Sequence, residues 1–504
     1  MEGLRDIFLY NPEKPLLFTQ MYFWIFFAVV LAIYSVIYPH KAVRNGFLFL
    51  ASLFFYWKTS GLFFLLLIFS TIADYLIGFR IYRAKKKSWK KVWLTCSVLI
   101  NLGLLSYFKY SYFITTTIND LFNTNFEVYN FLADFSNSVA GTRFDISVIG
   151  LPVGISFFTF QTISYAVDVY RHKVKPVKNI IDFGFYVSFF PQLVAGPIVR
   201  ASEFIPQLYK RYHLSREEFG YALFLILNGL IKKMFVGDYL AVNLIDRVFA
   251  NPVGYTGVEN ILALYGYSLQ VYCDFSGYTD IAIGIALWMG FRLPRNFNSP
   301  YKADSVGNFW KRWHISLSTW LRDYLYIPIG GNRKGKVRTN INLMLTMLLG
   351  GLWHGASWEF VIWGGLNGVG LLVWKYWKRI SPYEKSTHWA SRLWKVFLTF
   401  NFITLTRIWF RSESMQQANQ FILQVWNHLD LSLAGDVIIS YYKVMLIMLL
   451  GYIVHWLPTR FKKYYRDKFI ASPLWIKLGI AVISVFIIYQ SWSADLVPFI
   501  YFQF

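Results

Sequence analysis

The sequence predicts an all-α protein that crosses a membrane many times. Hydrophobic residues make up 56% of its 504 residues and charged residues only 15%, whereas soluble domains carry about 25% charged residues. Apolar runs recur along the whole length, and a run of about 17–25 residues is long enough to span a bilayer. Because no polar stretch is long enough for a soluble domain, we expect one membrane domain over residues 1–504, with a core at 20–410 and C-terminal helices at 411–504.

The net charge of +23 is explained by loops on the cytoplasmic side of the membrane. Lysine and arginine concentrate in such loops and face anionic lipid. We therefore expect contact with membrane lipid and no nucleic-acid partner. Cys96 and Cys273 both lie in apolar segments, which argues against a disulfide framework.

The first third of the chain alternates between apolar spans and charged loops. Residues 80–91 contain seven basic residues and no acid, whereas residues 110–148 contain four acids and one arginine. Basic residues mark the inside of a membrane protein, so the N-terminus is expected on the extracytoplasmic side. The predicted spans are 21–37, 46–58, 61–79, 92–107 and 149–169.

Residues 180–199 are apolar but have basic loops on both sides. They contain Pro191, Gly196 and Pro197, which disfavour a straight helix. We expect a re-entrant segment here, because irregular backbone at membrane depth requires a covering of protein or a water-filled cavity.

The second half of the chain contains the longest basic region. Residues 292–338 carry ten Lys or Arg residues against two acids and are placed on the cytoplasmic side. Segments 341–353 and 356–374 look too short for two full spans, so we expect a hairpin with His354 near its bend. With the remaining spans, the sequence predicts about ten to eleven transmembrane helices plus re-entrant and amphipathic helices, with both termini extracytoplasmic. The remaining spans are 217–236, 260–290, 394–410, 440–457 and 476–495.

Two histidines, each preceded by a tryptophan, are the candidate catalytic residues. His314 lies on the apolar face of a predicted amphipathic helix at 308–325. His354 lies among small residues in an apolar segment, where an ionisable residue is costly and is a candidate for function. The alternative for His314 is a core histidine that hydrogen-bonds to the backbone, or an aromatic residue at the membrane interface. The alternative for His354 is a structural histidine.

Two imidazoles facing one cavity suit acyl transfer to an alcohol. One neutral ring can remove the hydroxyl proton, and the other can orient the substrate or stabilise the oxyanion. A metal site is not expected, because neither a His-x-x-x-His nor a Cys-x-x-Cys pair occurs. Asp274 and Asp280 are six residues apart, on different faces of a helix. We expect them to hydrogen-bond with neighbouring helices, or to mark a break in the helix, rather than to act as an acid/base pair. The basic loop at 330–338 either follows the positive-inside rule or attracts an anionic donor from the cytoplasm.

The sequence resembles the membrane-bound O-acyltransferases, and within them the bacterial alginate O-acetylation branch. The resemblance covers about residues 20–410. Seven segments carry it: 152–161 (PVGISFFTFQ), 190–197 (FPQLVAGP), 274–280 (DFSGYTD), 296–301 (NFNSPY), 309–318 (FWKRWHISLS), 326–331 (YIPIGG) and 352–356 (LWHGA).

The resemblance implies a ring of helices around a funnel or tunnel through the membrane. It implies His354 as the catalytic base with His314 assisting, cytoplasmic acetyl-CoA as the donor, and no bound cofactor. It further implies a polysaccharide acceptor, a periplasmic SGNH-hydrolase-like partner and location in the bacterial inner membrane. Seven further residues are candidate substrate contacts: Trp313, Trp353, Asp274, Ser276, Asn308, Arg312 and Gln192.

Three alternatives remain open from the sequence alone. The first is D-alanyl transfer of the teichoic-acid type, or transfer of another acyl group. The second is a polysaccharide or lipid transporter without covalent chemistry, although no internal repeat is evident, which weakens a transporter built from duplicated halves. The third is a non-catalytic scaffold for a secretion complex, in which His314 and His354 would both be dispensable.

Overall fold

The computed structural model describes residues 9–12, 14–384, 386–491 and 499. Every regular element among these residues is helical, which confirms the predicted all-α class. By its contacts the chain divides into two compact units, Met1–Val194 with Val199–Arg211, and Ala195–Ile198 with Tyr212–Phe504. The organisation as one membrane domain stays a prediction.

The first unit consists of helices of very different lengths. Short non-α segments continue two of its helices, a 3₁₀ turn at Gly61–Phe63 and a π-helical turn at Ser106–Tyr110. Its α-helices are α1 (Met21–Ile37), α2 (Lys41–Ser60), α3 (Phe64–Arg83), α4 (Lys87–Leu105), α5 (Ser111–Phe122), α6 (Phe131–Ala140), α7 (Ile155–Tyr170), α8 (Ile180–Ser188), α9 (Phe190–Leu193) and α10 (Ala201–Leu208).

The second unit contains both candidate catalytic histidines. Its α-helices are α11 (Arg216–Leu230), α12 (Asp246–Ala250), α13 (Gly257–Trp288), α14 (Val306–Trp310), α15 (Ile315–Trp320), α16 (Gly335–His354), α17 (Trp358–Ile380), α18 (Trp389–Arg411), α19 (Met415–Asn427), α20 (Ala434–Ser440), α21 (Tyr442–Trp456), α22 (Thr459–Ala471) and α23 (Leu474–Ser491). Its π-helical segments are Ile231–Asp238, Ala241–Ile245 and Leu321–Tyr326, and its 3₁₀ turns are Pro252–Gly254, Pro300–Lys302 and Leu431–Leu433.

Four helical segments of the described chain are long and apolar enough to cross a membrane. A fifth qualifies if the pair Leu431–Ser440 and Tyr442–Trp456, bent by 93°, is one span. The four are Lys41–Arg83, Lys87–Phe122, Arg216–Ala250 and Leu474–Ser491. The chain is thus a helical membrane protein, and the count of ten to eleven spans stays a prediction. Residues 492–495 of the last predicted span lie outside the described residues.

The segment 180–199 is broken where its prolines predicted. Helix α8 ends at Ser188, Phe189 leaves the helical conformation at φ −48° and ψ 110°, and the one-turn helix α9 begins with Pro191 in its first turn. A proline has no N–H to donate and fits only the first turn of a helix. That the segment is re-entrant stays a prediction.

The predicted continuous helix at 308–325 is wrong. The chain forms α14, leaves the helix at Lys311, and begins α15 only after His314, whose φ is +43°. The break is held by a segment that precedes it in sequence. Asn296 accepts hydrogen bonds from the N–H of Ile315 through its carbonyl and from the N–H of Ser316 through Oδ1. These bonds satisfy N–H groups at the start of α15 that would otherwise lack partners.

The hairpin around His354 is confirmed, although both of its helices are longer than predicted. Helix α16 ends at His354 and α17 begins at Trp358. Glycines bring the two helices into close approach. A Cβ built on Gly351 would lie 2.2 Å from the carbonyl oxygen of Phe360, and one on Gly364 would lie 2.4 Å from that of Met347.

Candidate active site

His314 is fully buried at the start of α15. A left-handed backbone is unusual for a residue with a Cβ and costs roughly 1 kcal/mol. The hydrogen bonds of Asn296 to the next two residues hold that conformation. The Oγ of Ser316 also donates to Asn296 Oδ1 at 3.0 Å and accepts from the N–H of Ile198 at 3.0 Å. The position of His314 is therefore fixed by polar contacts beside it.

His354 is the last residue of α16 and is 2% exposed. Its ring stands edge-on to Trp363, with 5.1 Å between the centroids, and to Phe410, with 5.5 Å. Gly355 must be small, because a Cβ there would lie 2.0 Å from the Phe360 ring. The close hairpin thus points His354 into an aromatic pocket.

The two imidazoles lie together although forty positions separate them in sequence. Their ring centroids are 6.1 Å apart. Trp353 contacts both rings, at 5.9 Å from His314 and 5.0 Å from His354, and Phe275 stands edge-on to His314 at 4.6 Å. This separation leaves both rings within reach of one small reacting group.

A small enclosed space adjoins His354. Its volume is about 20 Å³, which is room for about one water-sized group. It is lined by Val271, Phe275, Phe309, Trp313, His354, Trp363, Asn367, Ile403, Arg407 and Phe410. The only charged side chain among these described lining residues is Arg407.

Arg407 is buried, with 4% of its surface exposed. Its Nη1 donates to the carbonyl oxygen of Ser268 at 2.9 Å and to the hydroxyl of Tyr301 at 2.6 Å. Its guanidinium lies 4.9 Å from the Trp313 ring centroid, a cation–π distance. In the described chain its hydrogen-bond acceptors are neutral oxygens, so a buried positive charge faces the His354 pocket.

Burial, with the neighbouring His354, lowers the pKa of His314 well below its ordinary value. Water no longer solvates the imidazolium there, and a second imidazole disfavours the added charge. His314 is therefore neutral at pH 7. A neutral imidazole can accept a proton at one nitrogen and donate a hydrogen bond from the other.

The carboxylates of α13 pair with the adjacent helix, as the sequence predicted. Asp274 Oδ1 lies 2.6 Å from Lys233 Nζ, and Asp280 Oδ2 lies 2.7 Å from Lys232 Nζ. Asn228 also donates to Asp280, at 2.8 Å. Both carboxylates thus hold α13 against the α11 helix and its π-helical continuation.

The other candidate substrate contacts lie in different places. Trp313 and Trp353 are buried and contact the histidine pocket. Asn308 accepts from Arg312 Nε at 2.9 Å and donates to Asp304 at 2.7 Å, so these side chains brace the turn before His314. Ser276 is buried and lines a larger cavity.

Gln192 is the candidate contact that lies in the first unit. It is fully buried, and its Nε2 donates to the carbonyl oxygen of Tyr186 at 2.8 Å. Among the described residues, no group of three or more His, Cys, Asp or Glu side chains has the arrangement of a metal site.

Sequence reasoning missed Asn296 and Phe410 as parts of the site. Asn296 is eighteen residues from His314 in sequence, and Phe410 belongs to a separate apolar helix. Helical spacing connects only residues three or four apart. The sequence did mark Asn296 as part of segment 296–301, one of the segments that carry the family resemblance. That resemblance did not indicate what its side chain does.

Comparisons with known proteins show which family the chain is similar to. A profile of the membrane-bound O-acyltransferase family matches residues 101–412, a range that includes both histidines. A probable alginate O-acetylase of Pseudomonas aeruginosa is 39% identical over 403 residues, which are 79% of this chain and 72% of that protein.

More distant relatives differ in the acceptor and acyl group that their names give. A peptidoglycan O-acetyltransferase of Helicobacter pylori is 35% identical over 395 residues, covering 73% of this chain and 71% of that protein. A teichoic acid D-alanyltransferase of Bacillus subtilis is 29% identical over 269 residues, covering 50% of this chain and 66% of that protein.

Proposed function

The chain belongs to the membrane-bound O-acyltransferase family, and from that membership we propose that it moves acetyl from cytoplasmic acetyl-CoA to hydroxyl groups of an extracytoplasmic polysaccharide. As a member of this family, the protein is a membrane O-acyltransferase. The polysaccharide acceptor is supported by the names of the alginate and peptidoglycan O-acetylating relatives.

The observation that carries the proposal is the convergence of His314 and His354 in one buried pocket. His354 acts as the general base and takes the proton from the attacking hydroxyl as its oxygen bonds to the thioester carbonyl carbon. His314, kept neutral by burial, donates a hydrogen bond to the oxyanion. The carbon–sulfur bond then breaks, and His354 returns the proton to the thiolate. Proton transfer of this kind contributes about 10²–10⁴-fold to rate.

The size of the space at His354 supports a small acyl group. At about 20 Å³ between aromatic walls, it has no room for a long acyl chain unless Trp363 and Phe410 move. Arg407 supports acetyl over D-alanyl as the acyl group. Its buried guanidinium would repel the α-ammonium group of D-alanine, and the described residues that line the space at His354 include no carboxylate to offset that repulsion.

The remaining parts of the proposal concern sidedness. The enzyme sits in the bacterial inner membrane with both termini outside, and the acyl group passes through a tunnel between the helices. The hydroxyl that attacks at His354 belongs to a periplasmic SGNH-hydrolase-like partner, which then completes transfer to the glycan. Support comes from the family resemblance and from the basic regions at 80–91 and 292–338, which the positive-inside rule places in the cytoplasm.

Replacing His354 with alanine tests the proposal. We expect the O-acetyl content of surface glycans, measured by mass spectrometry of cells that carry the variant in place of the native gene, to fall to the level of a gene deletion. The reason is loss of the base that activates the hydroxyl.

His428→Ala is the matched control, since His428 is exposed and distant in sequence from the pocket, and it should retain acetylation. Membrane abundance of both variants is measured by immunoblot. Full acetylation with His354→Ala would refute the assigned role. Unchanged acetylation in the deletion strain, with loss of glycan export, would favour the transporter alternative.

A further inference from the structure

The second unit contains a large cavity that the transfer mechanism does not use. Its volume is about 670 Å³, within the range of about 300–1,000 Å³ that is usual for ligand sites. Its walls come from α11, the π-helical segment Ile231–Asp238, α13, residues 292–299, α21 and α22. Both α21 and α22 lie wholly beyond the family match at 101–412.

Basic side chains dominate the charge of this cavity. Two carboxylates line it, Glu218 and Asp280, and each is paired: Asp280 with Lys232 at 2.7 Å and Glu218 with Arg292. The lysines and arginines among its lining residues are Lys232, Arg292, Arg295, Lys462, Lys463 and Arg466.

Three of these cations have no carboxylate partner within the described chain. Arg295 donates through Nε to the carbonyl oxygen of Phe297, and Lys462 and Lys463 form no ion pair there. Arg466 pairs with Asp467, at 2.9 Å. Several positive charges facing one cavity repel each other unless an anion lies between them.

Lys462 is placed to bind such an anion. Its Nζ donates to Ser299 Oγ at 3.1 Å and to the carbonyl oxygen of His455 at 2.7 Å. An ammonium group has three N–H donors, so one donor remains. Burial and the charges of Lys302, Lys232 and Arg295 lower the pKa of Lys462 to about 7. A bound anion favours the charged form and offsets this cost.

His455 provides a second, independent indication of a ligand. It lines the cavity and is only 2% exposed. Its Nε2 accepts from the N–H of Tyr301 at 3.3 Å, so in the neutral ring the proton is on Nδ1. That Nδ1 is buried and has no hydrogen-bond partner in the described chain. A buried donor without a partner is costly, and an acceptor on a ligand would satisfy it.

The cavity also borders the histidine pocket. Asn296 and Phe297 line the cavity and contact residues beside the pocket. Asn296 caps the helix that begins after His314, and the Phe297 ring lies 5.1 Å from that of Trp313. Aromatic and aliphatic side chains make up much of the remaining wall, so the cavity suits an organic body as well as an anionic group.

We propose that this cavity binds the phosphate groups of an organic phosphate ester, with α21 and α22 supplying His455, Lys462 and Lys463 as donors. Its volume exceeds what inorganic phosphate would fill. An acyl-CoA and an anionic phospholipid share this chemistry. The acyl-CoA source rests on the proposed function. It fits the basic region 292–338, which the sequence predicts on the cytoplasmic side and which meets the basic helix α22 at this cavity.

Binding to the purified full chain in phosphatidylcholine nanodiscs tests the proposal. The probes are acetyl-CoA, S-acetylpantetheine, which lacks phosphate, and dioctanoyl phosphatidylglycerol. Lys462→Gln should weaken binding of a phosphate-bearing probe about tenfold or more, as expected for loss of a charge-assisted hydrogen bond, and should leave S-acetylpantetheine unaffected. Lys468→Gln is the matched control, because Lys468 is exposed on the same helix and does not line the cavity.

Each outcome decides the proposal. A selective loss of acetyl-CoA affinity identifies a thioester ligand, and a selective loss of phosphatidylglycerol affinity identifies a lipid. Equal affinities of Lys462→Gln and Lys468→Gln for both probes overturn the proposal. Should Lys462→Gln fail to fold, Lys463→Gln is measured in its place and judged by the same comparison. Since binding is read without turnover, its failure is distinct from inactivity of His354→Ala.

Discussion

At the scale of single residues, the left-handed backbone of His314 is the unusual feature of the pocket. Its φ of +43° is readily adopted by glycine and disfavoured for any residue with a Cβ. The carbonyl and side chain of Asn296 hold the next two residues. The chain therefore maintains local strain where it places a reacting group, a pattern found at functional sites.

This strain predicts an order of stability between two inactive variants. His314→Gly should be more stable than His314→Ala by about 1 kcal/mol, because both remove the imidazole and only alanine keeps the backbone penalty. Thermal unfolding of the detergent-solubilised protein measures the difference, and both variants should lose acetylation. A His314→Ala variant that is equally or more stable would show that the backbone at this position is unstrained.

The sequence could predict the identity of the two histidines but not how they meet. Each is marked by an adjacent tryptophan and an apolar setting. Their proximity depends on Asn296, Phe410 and the α16–α17 glycines, which come from four different segments. Contacts between distant segments have no periodic signal, and helical periodicity reaches only the same face of one helix.

At the scale of elements, the α16–α17 hairpin positions His354. Gly351 lies three residues before it and packs against the backbone of Phe360. A backbone oxygen cannot move aside as a flexible side chain can. Any side chain at Gly351 therefore separates the helices and displaces His354.

Gly351→Ala should destabilise the protein by about 1–3 kcal/mol, as overpacking of a tight interface does, and should lower acetylation more than it lowers protein abundance. Gly479→Ala is the control, because a Cβ at Gly479 in α23 meets no atom within 4 Å and alanine favours a helix. Thermal unfolding and glycan analysis are measured on both variants. Normal stability and activity of Gly351→Ala would contradict the proposed role of this close contact.

Element boundaries show where periodicity is informative and where it is not. The hairpin was predicted because two short apolar segments flank glycines and His354. The break at 311–314 was not, because the aromatic residues of 308–325 keep helical spacing on both sides of it. The hydrogen bonds that the N–H groups of Ile315 and Ser316 donate to Asn296 overrule that local preference, as tertiary context often does.

At the scale of the whole molecule, hydropathy identifies a membrane protein but counts its spans poorly. Helix α13 has 32 residues and is long enough to cross a bilayer, yet it is not among the candidate spans. It contains Asp274 and Asp280, which pair with lysines inside the protein. A polar interior lowers the mean hydropathy of the helices that build it, so their number does not follow from composition.

The residues assigned to chemistry and to the basic cavity all belong to the second unit, apart from Gln192. One set would bind the anionic part of the donor, and the other would transfer its acyl group. The proposed reaction begins on the cytoplasmic side and ends on the other, so its sidedness is a property of the molecule rather than of any single residue.

The most direct test uses inverted inner-membrane vesicles, whose cytoplasmic face is outward and whose lumen retains the periplasmic glycan and partner. Acetyl-labelled acetyl-CoA is added outside, and labelled O-acetyl ester is measured on lumenal polysaccharide. We predict transfer with the native protein and with His428→Ala, and none with His354→Ala at equal abundance. Equal lumenal labelling with His354→Ala, or no labelling with the native protein, would contradict the account.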